Sequence, residues 1–263
     1  MCRRLFEALP EIGERLAQAP HLLLCLDFDG TLTAIAKDPE RVFLSPRMKL
    51  IVQALGNCVN TSVAVISGRD RADLQARVDI PGLIYAGNHG LEISGPGFIF
   101  VEPSAVSHRS ALQELATGLT RRIQGIPGAV VEDKGLTVSV HYRQVAPAAW
   151  EEVRQVTHSV LANASHPFLL IPGDKVFEIR PRVYWNKGTA VGWIKEQVRQ
   201  PEALVMYIGD DVTDEDAFTV LAGDITVKVG SSVETAAHYQ LDGPGDVQRF
   251  LEWLARCRIP DSI

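Results

Sequence analysis

The chain of 263 residues contains only four cysteines, and none of them forms a Cys-x-x-Cys pair. The sequence therefore indicates neither a zinc ribbon nor a disulfide framework. No apolar run approaches the roughly 18 residues that a membrane-spanning helix needs. The segment at residues 1–20 is typical of an amphipathic helix and not of a secretory signal. These absences predict a cytoplasmic protein without a membrane partner.

An excess of positive charge is also missing. The 26 Lys and Arg residues against 32 Asp and Glu residues give a net charge of −6, which argues against a nucleic-acid partner. The hydrophobic content of 46% and the charged content of 22% are those of a soluble globular protein. A chain of this length can form one large domain or two small ones.

Apolar strand-like runs alternate with helical patterns in two separate parts of the chain, residues 22–86 and 186–257. This alternation predicts an α/β fold with a doubly wound, Rossmann-like parallel sheet. The intervening residues 104–179 show a different order, α-β-β-α-β-β, which is typical of an antiparallel two-layer unit. We therefore expect a core formed by residues 1–103 and 183–263, with an inserted cap domain at 104–182.

Two acidic residues follow the first apolar strand. The run Leu22–Leu26 ends in Asp27, and Asp29 and Gly30 come directly after it. In an open α/β sheet the functional crevice lies beyond the carboxyl ends of the strands. Two carboxylates and a tight turn at this position suit a nucleophile and a metal site. The alternative for an isolated Asp-x-Asp-Gly is a plain strand end and turn.

Two further motifs also lie where a predicted strand or helix meets a loop. In Ser67-Gly68-Arg69, a hydroxyl and the free N–H groups of a helix start suit a phosphate oxygen. The alternative is that Ser67 only caps the helix. In Asn186-Lys187-Gly188, the lysine suits neutralisation of a phosphoryl group, and the alternative is a surface lysine.

An acidic cluster follows the strand at residues 204–208. The segment Asp210–Asp216 carries five carboxylates in seven residues. Glu215 occupies the position where an EF-hand loop requires Gly, so the cluster does not match that loop. Carboxylate ligands without His or Cys favour Mg²⁺ over zinc. The alternative is an ordinary acidic first turn of a helix.

In this order, DFDGTLT, Ser67, Lys187 and GDDVTD resemble the four motifs of the haloacid dehalogenase superfamily of phosphatases. The insert between the second and third motifs resembles the larger sugar-phosphatase type of cap. The blocks AGNHGLEI, VEDKGLTVSVHYR, GDKVFEIRP, NKG and GDDVTDEDAF are similar to signature blocks of the trehalose-6-phosphate phosphatase family. One departure is Ala34, where that family usually has Pro.

The resemblance implies a Mg²⁺-dependent phosphatase that converts trehalose 6-phosphate to trehalose and phosphate through an aspartyl-phosphate intermediate. It implies that Asp27 is the nucleophile and that Asp29 protonates the leaving sugar oxygen and then activates water. The implied metal ligands are Asp27, the main-chain carbonyl of Asp29 and Asp210, with Asp214 in support. The groups implied to hold the phosphate are Ser67, Lys187, Arg69 and the main chain near Phe28 and Gly30.

The resemblance also assigns the sugar to the cap. The implied ligands from the insert are Glu132, Lys134, His141, Arg143, Lys175, Glu178 and Arg180, and those from the core are Asn88 and His89. A disaccharide offers many hydroxyls, so a site that hydrogen-bonds them rejects analogues that lack them. For each of these residues the alternative is a solvated sheet face.

Two other functions stay open at this point. One is a phosphatase for another sugar phosphate, such as sucrose 6-phosphate or mannosyl-3-phosphoglycerate. The other is a non-catalytic sugar-phosphate-binding or regulatory domain, which the presence of Asp27, Asp29, Lys187 and Asp210 disfavours. We further expect a monomer with a small-molecule substrate and a functional link to a trehalose-6-phosphate synthase.

Overall fold

The computed structural model describes residues 2–36, 39–231 and 234–258. Within these ranges the strands are β1 (Arg3–Arg4), β2 (Leu22–Asp27), β3 (Thr61–Ile66), β4 (Ile84–Gly87), β5 (Glu92–Gly95), β6 (Phe98–Val101), β7 (Val130–Asp133), β8 (Val138–His141), β9 (Phe168–Gly173), β10 (Val176–Pro181), β11 (Leu204–Gly209), β12 (Ile225–Val229) and β13 (Tyr239–Leu241). The helices are α1 (Leu9–Gln18), α2 (Pro46–Gly56), α3 (Arg71–Val78), α4 (Pro103–Val106), α5 (Arg109–Ile123), α6 (Trp150–Ala162), α7 (Lys187–Val198), α8 (Glu215–Val220) and α9 (Pro244–Arg258).

The chain divides into two compact units. Unit 1 comprises Met1–Phe100 and Trp185–Ile263, and unit 2 comprises Val101–Tyr184. The predicted domain boundaries lay at 103/104 and 182/183. The role of unit 2 as a cap that selects the substrate stays a prediction.

Unit 1 is built on a sheet with the order β1-β13-β12-β11-β2-β3-β4-β5-β6. In this order, each strand between β1 at one edge and β4 is parallel to its neighbours. Strand β5 pairs with β4 in the antiparallel sense. The prediction of a largely parallel, doubly wound core is confirmed. Because β11, β2 and β3 are parallel neighbours, the loops after them leave from the same edge of the sheet.

The apolar run of β2 explains why helices cover both faces of this sheet. Leu22, Leu24 and Leu26 enter the core against α1, α2, α3 and α9, whereas Leu23 and Cys25 enter the core against α7 and α8. Side chains alternate between the faces of a strand. A continuous apolar run is therefore what a strand buried on both faces requires.

Unit 2 holds a four-stranded sheet with the order β7-β8-β10-β9, and all of its pairs are antiparallel. Val138 and Val140 pack on one side of β8 into a core with Leu112 and Leu119 of α5 and with α6. Ser139, between them, points to the opposite face of the sheet. The predicted α-β-β-α-β-β insert is confirmed, with one polar and one apolar sheet face.

Three details differ from the sequence prediction. The predicted helix at residues 1–20 begins only at Leu9, after β1 and a short 3₁₀ turn. The first helix of the predicted α-β-β-α-β-β order is two helices, α4 and α5, because residues 107–108 between them are not helical. The prediction omitted β1, β5, β6 and β13. The turn residues Gly95-Pro96-Gly97 could have predicted the hairpin formed by β5 and β6.

An aromatic cluster lies in unit 1 where the chain departs at residue 100 and returns at residue 185. Phe100 stacks on Trp185 with ring centroids 4.8 Å apart and contacts Trp193 at 4.7 Å. Phe98 meets Trp193 edge to face at 5.5 Å. The two ends of the unit 1 segments are thus held by packed rings.

In the part of the chain that the structure describes, no helix combines the length and the apolar character needed to cross a bilayer.

Candidate active site

Four of the predicted residues come together at the carboxyl edge of the unit 1 sheet. Asp27 ends β2, Ser67 follows β3, Asp210 follows β11, and Lys187 begins α7. The parallel pairing of β11 with β2 and of β2 with β3 places the first three side by side. Motifs that lie far apart in the sequence therefore meet in one site because the doubly wound sheet makes their strands neighbours.

A buried lysine joins two buried carboxylates in this site. The Nζ atom of Lys187 donates to Oδ1 of Asp27 at 2.7 Å and to Oδ1 of Asp214 at 2.6 Å. The three side chains are only 2%, 6% and 0% exposed. The alternative of a surface lysine is therefore wrong. A buried cation with good geometry offsets charges that would otherwise be very costly to bury.

Burial and neighbouring charges have opposite effects on the pKa values of Asp27 and Lys187. Burial raises the pKa of Asp27 well above its ordinary value, against the opposing charge of Lys187. Burial alone would lower the pKa of Lys187, but the charges of Asp214 and Asp27 outweigh it and raise that pKa. Lys187 therefore stays a cation throughout the physiological range.

Asp214 is held on both of its oxygens. Its Oδ1 accepts from Lys187 and from the hydroxyl of Tyr207 at 2.7 Å, and its Oδ2 accepts from the main-chain N–H of Asp211 at 2.9 Å. A Cβ atom on Gly209 would lie 2.3 Å from the carboxyl carbon of Asp214, so this position needs glycine. The sequence reasoning missed Tyr207, although alternation along β11 places it on the same face as Gly209.

Three carboxylates form a cluster suited to a metal. Oxygens of Asp27, Asp210 and Asp214 all lie within 4.8 Å of one another. Thr31 donates to Oδ1 of Asp210 at 2.9 Å, and a Cβ atom on Gly30 (φ +90°) would meet Asp210 Oδ2 at 2.1 Å. Burial, followed by the charge of Asp214, raises the pKa of Asp210 to about 6. Mutually repelling oxygens of this kind fit a hard divalent cation.

Lys228 is a second buried cation beside the acidic loop, and the sequence reasoning missed it. Its Nζ donates to the main-chain oxygen of Asp210 at 2.6 Å and to that of Asp211 at 3.2 Å. Lys228 belongs to β12, where it pairs with Gly209 of β11. The other residues of β12 are three apolar residues and Thr226, so only the lysine itself was a signal.

Asp29 is engaged by Arg69 through a bidentate ion pair. Nε and Nη2 of Arg69 donate to the two carboxylate oxygens of Asp29, both at 2.7 Å. Arg69 also donates to Asp73 at 3.1 Å, and Asp73 accepts from Arg77 at 2.6 Å. The side chain of Asp29 is 37% exposed and lies outside the three-carboxylate cluster. Arg69 thus fixes the orientation of the carboxylate that is predicted to transfer protons.

Ser67 is buried but does not cap the following helix. Asp70 caps α3, since its side chain accepts from the N–H of Asp73 at 2.9 Å. The capping alternative for Ser67 is therefore wrong. Its hydroxyl accepts a long hydrogen bond from the N–H of Arg69 at 3.2 Å.

A strained turn brings Asn88 and His89 to the Ser67 loop. Both residues have left-handed backbone angles, with φ of 49° and 58°. Their N–H groups donate to the carbonyl oxygens of Arg69 at 2.6 Å and of Ser67 at 2.8 Å. A Cβ atom on Gly68 would lie 2.7 Å from the His89 ring, so the ring packs against the glycine backbone. Strain of this kind persists where the surrounding structure over-determines it.

Unit 2 brings four of the predicted sugar ligands together on the polar face of its sheet. Lys134 Nζ lies 3.4 Å from Glu178 Oε2 and 3.9 Å from Glu132 Oε2. His141 Nε2 lies 2.8 Å from Glu132 Oε2. Burial raises the pKa of Glu132, but the hydrogen bond from His141 and the charge of Lys134 outweigh it and lower that pKa. Ser139, which the sequence reasoning did not select, donates to Glu178 at 2.5 Å.

The other predicted cap ligands have different partners. Arg143 donates to the main-chain oxygen of Asp174 at 2.8 Å and to its carboxylate at 2.9 Å. The Nζ atom of Lys175 lies 3.5 Å from the ring centre of Trp150. Arg180 is buried two residues after Glu178 on β10, so both share one face. The sugar-binding roles of these residues stay predictions.

Known proteins match this chain over most of its length. The family model described as trehalose-phosphatase matches residues 25–244. The trehalose-phosphate phosphatase of Mycobacterium bovis (strain BCG / Pasteur 1173P2) is 35% identical over an alignment of 268 positions, which covers 96% of this chain and 67% of that protein.

Two solved structures share the fold. The C-terminal domain of the C. albicans trehalose-6-phosphate phosphatase has a TM-score of 0.84 at 23% identity, over 97% of this chain and 98% of that one. A haloacid dehalogenase-like hydrolase from Bacteroides thetaiotaomicron has a TM-score of 0.61 at 15% identity, over 89% of this chain and 99% of that one.

Proposed function

The chain belongs to the trehalose-phosphatase family, and we propose from this membership that it removes phosphate from trehalose 6-phosphate. The observation that supports this best is Lys187 held between Asp27 and Asp214 at the carboxyl edge of the sheet. An anionic nucleophile needs such compensation before it can approach an anionic phosphate.

The proposed reaction has two steps. The carboxylate of Asp27 attacks phosphorus, the bond from phosphorus to the sugar oxygen breaks, and Asp29 gives that oxygen its proton. Asp29 then takes a proton from water, whose oxygen attacks the aspartyl-phosphate and releases phosphate and Asp27. Ser67, Lys187 and main-chain N–H groups near Gly30 hold the phosphoryl oxygens during both steps.

The proposed cofactor is Mg²⁺, held by Asp27, Asp210 and the main-chain carbonyl of Asp29, with Asp214 in support. When bound, it supplies the further positive charge that lets carboxylate and phosphate meet. Lys228 and Thr31 fix the loop and the carboxylate of Asp210.

We propose that the polar face of unit 2 recognises the sugar. Glu132 and Glu178 place two carboxylates on strands that flank β8, and the ammonium group of Lys134, directly after β7, lies 3.9 and 3.4 Å from them. Alternating acceptors and donors of this kind suit the hydroxyls of a disaccharide. The assignment of Asn88, His89 and the remaining cap residues to the substrate is part of the same proposal.

The test is phosphate release from trehalose 6-phosphate, with Mg²⁺ and with a chelator, beside sucrose 6-phosphate, mannosyl-3-phosphoglycerate and glucose 6-phosphate. We expect metal-dependent release with a strong preference for trehalose 6-phosphate. Release from another sugar phosphate would keep the reaction and reject the substrate. Absence of release from every substrate would favour a sugar-phosphate-binding domain. The monomeric state, the cytoplasmic location and the link to a synthase stay predictions from the sequence.

A further inference from the structure

Three polar residues of unit 2 lie in one row across three strands. The register pairs Glu132 of β7 with Ser139 of β8, and Ser139 with Glu178 of β10. Residues directly opposite each other on neighbouring strands share a face and approach closely. Ser139 therefore lies between the two glutamates, although its own side chain carries no charge.

The contacts in this row converge on one oxygen of Glu178. Ser139 Oγ donates to Glu178 Oε2 at 2.5 Å, and Lys134 Nζ lies 3.4 Å from the same atom. Ser139 is fully buried and Glu178 is 8% exposed. The shorter and more buried of these two contacts is the one from the hydroxyl, so Ser139 determines how the carboxylate of Glu178 is turned.

The small volume of Ser139 matters as well. Val138 and Val140 on either side of it point into the apolar core on the opposite face. Their packing holds β8 in place, and Ser139 with it. A larger side chain in a fully buried position between two strands would displace one of the glutamates. Serine thus combines a donor with a size that keeps Glu132 and Glu178 in one row.

We propose that Ser139 is a positioning residue for sugar specificity, which acts by fixing the carboxylate of Glu178. The inference rests on the proposed function, in which Glu178 binds the sugar. Ser139 does not take part in the transfer of the phosphoryl group. Its loss therefore affects substrates with a sugar and spares substrates without one.

The experiment measures kcat/KM of Ser139→Ala, Glu178→Ala and the double variant. The substrates are trehalose 6-phosphate and p-nitrophenyl phosphate, which shares only the phosphate. For Ser139→Ala we expect a loss between about tenfold and a hundredfold on the sugar substrate. The aryl phosphate should change by less than about twofold. In the Glu178→Ala background, where the acceptor of the Ser139 hydroxyl is gone, Ser139→Ala should cause no further loss, because residues that act through one contact are not additive.

Thr157→Val is the matched control. It removes another fully buried hydroxyl of unit 2, one that donates to the carbonyl of Val153 in its own helix at 2.8 Å. It should lower the melting temperature without changing the ratio between the two substrates. Circular dichroism and thermal melting show that unit 2 of each variant is folded, and aryl phosphate turnover shows the same for unit 1. If Ser139→Ala does not fold, Ser139→Gly also removes the hydroxyl and takes its place.

Equal losses on both substrates, or a full additional loss in the Glu178→Ala background, would overturn the inference. A wild type that hydrolyses p-nitrophenyl phosphate but no sugar phosphate would overturn the proposed function, and the inference with it. A wild type that prefers another sugar phosphate rejects only the substrate. The same cycle is then measured with the preferred compound and has the same two outcomes.

Discussion

Each unit of the molecule places one lysine between two carboxylates, but the two arrangements differ in tightness. In unit 1, Lys187 lies 2.7 and 2.6 Å from Asp27 and Asp214, whose side chains are 6% and 0% exposed. In unit 2, Lys134 lies 3.9 and 3.4 Å from Glu132 and Glu178, whose side chains are 42% and 11% exposed. The first network is buried and joined by short hydrogen bonds. The second has longer contacts and is partly exposed.

The difference fits the two roles proposed above for these networks. Bond formation at phosphorus requires a nucleophile whose position is fixed to a fraction of an ångström. A buried carboxylate held by short hydrogen bonds meets this requirement. Recognition of hydroxyls requires oxygens that can still accept a bond from a ligand. A buried network is also intolerant of the loss of one member. The comparison therefore predicts that equivalent substitutions have very different effects in the two units.

The largest effect is expected for Asp27→Asn. The amide cannot form the aspartyl-phosphate, so turnover should fall by roughly 10⁴-fold or more, while circular dichroism shows an unchanged fold. Asp216→Asn, at an exposed position of α8, is the matched control and should keep its turnover. Activity near that of the wild type in Asp27→Asn would reject Asp27 as the nucleophile.

Replacement of the lysines tests the difference in tightness directly. Lys187→Met leaves two buried carboxylates without their cation and should lower the free energy of unfolding by about 3–5 kcal/mol. Lys134→Met should cost less, about 2 kcal/mol, because its two contacts are longer, at 3.4 and 3.9 Å, and the side chain of Glu132 is 42% exposed. Urea unfolding of both variants measures the two values. Equal costs would mean that the two networks do not differ as described.

Removal of metal should affect unit 1 in a pH-dependent way. The raised pKa of Asp210, about 6, means that the metal-free folded protein binds this proton more tightly than the unfolded chain. Its contribution to stability is complete below the unfolded pKa and is lost as pH rises through about 6. A cation needs the ionised carboxylate. Stabilisation by Mg²⁺, about 2.7 kcal/mol at a hundredfold excess over Kd, should therefore be larger at about pH 7.5 than at about pH 5.

Thermal melting with and without Mg²⁺ at the two pH values measures this effect. A stabilisation that is the same at both would show that Asp210 does not control metal binding. Asp210→Asn supplies the control, since it should abolish most of the gain at either pH.

The smallest effect is expected for Tyr207→Phe. Asp214 would keep the bonds from Lys187 and from the N–H of Asp211, so the loss should be about 1.5 kcal/mol, the low end for a bond to a charged group. Urea unfolding with an unchanged m-value measures it. A loss as large as that of Lys187→Met would show that the hydroxyl, and not the ammonium group, holds Asp214 in place.

The sequence predicted unit 1 well for a physical reason. Asp27, Ser67 and Asp210 each follow a buried strand, and parallel strands bring their carboxyl ends to one edge whatever the details of packing. Tyr207 and Lys228 were missed because they lie inside strands, where their contacts depend on which strands become neighbours. The two-residue strand β1 and the three-residue strand β13 were too short to leave a periodic pattern.

Unit 2 was less predictable because its polar row depends on register. The alternation around Ser139 indicated a polar face, but a shift of one residue in pairing would have placed a different side chain between Glu132 and Glu178. The same limit applies to Arg143 and Lys175, whose partners Asp174 and Trp150 lie far from them in sequence. Charge and residue type identified the face and did not identify its contacts.

The stacked rings of Phe100 and Trp185 have a consequence for how such a protein can be built. These rings hold together the two ends of the unit 1 segments. Residues 101–184 can therefore be exchanged without disturbing this junction. A gene encoding a short linker from residue 100 to residue 185 should yield a minimal, autonomous scaffold. Grafting a foreign segment at the same junction would then show whether unit 2 selects the substrate.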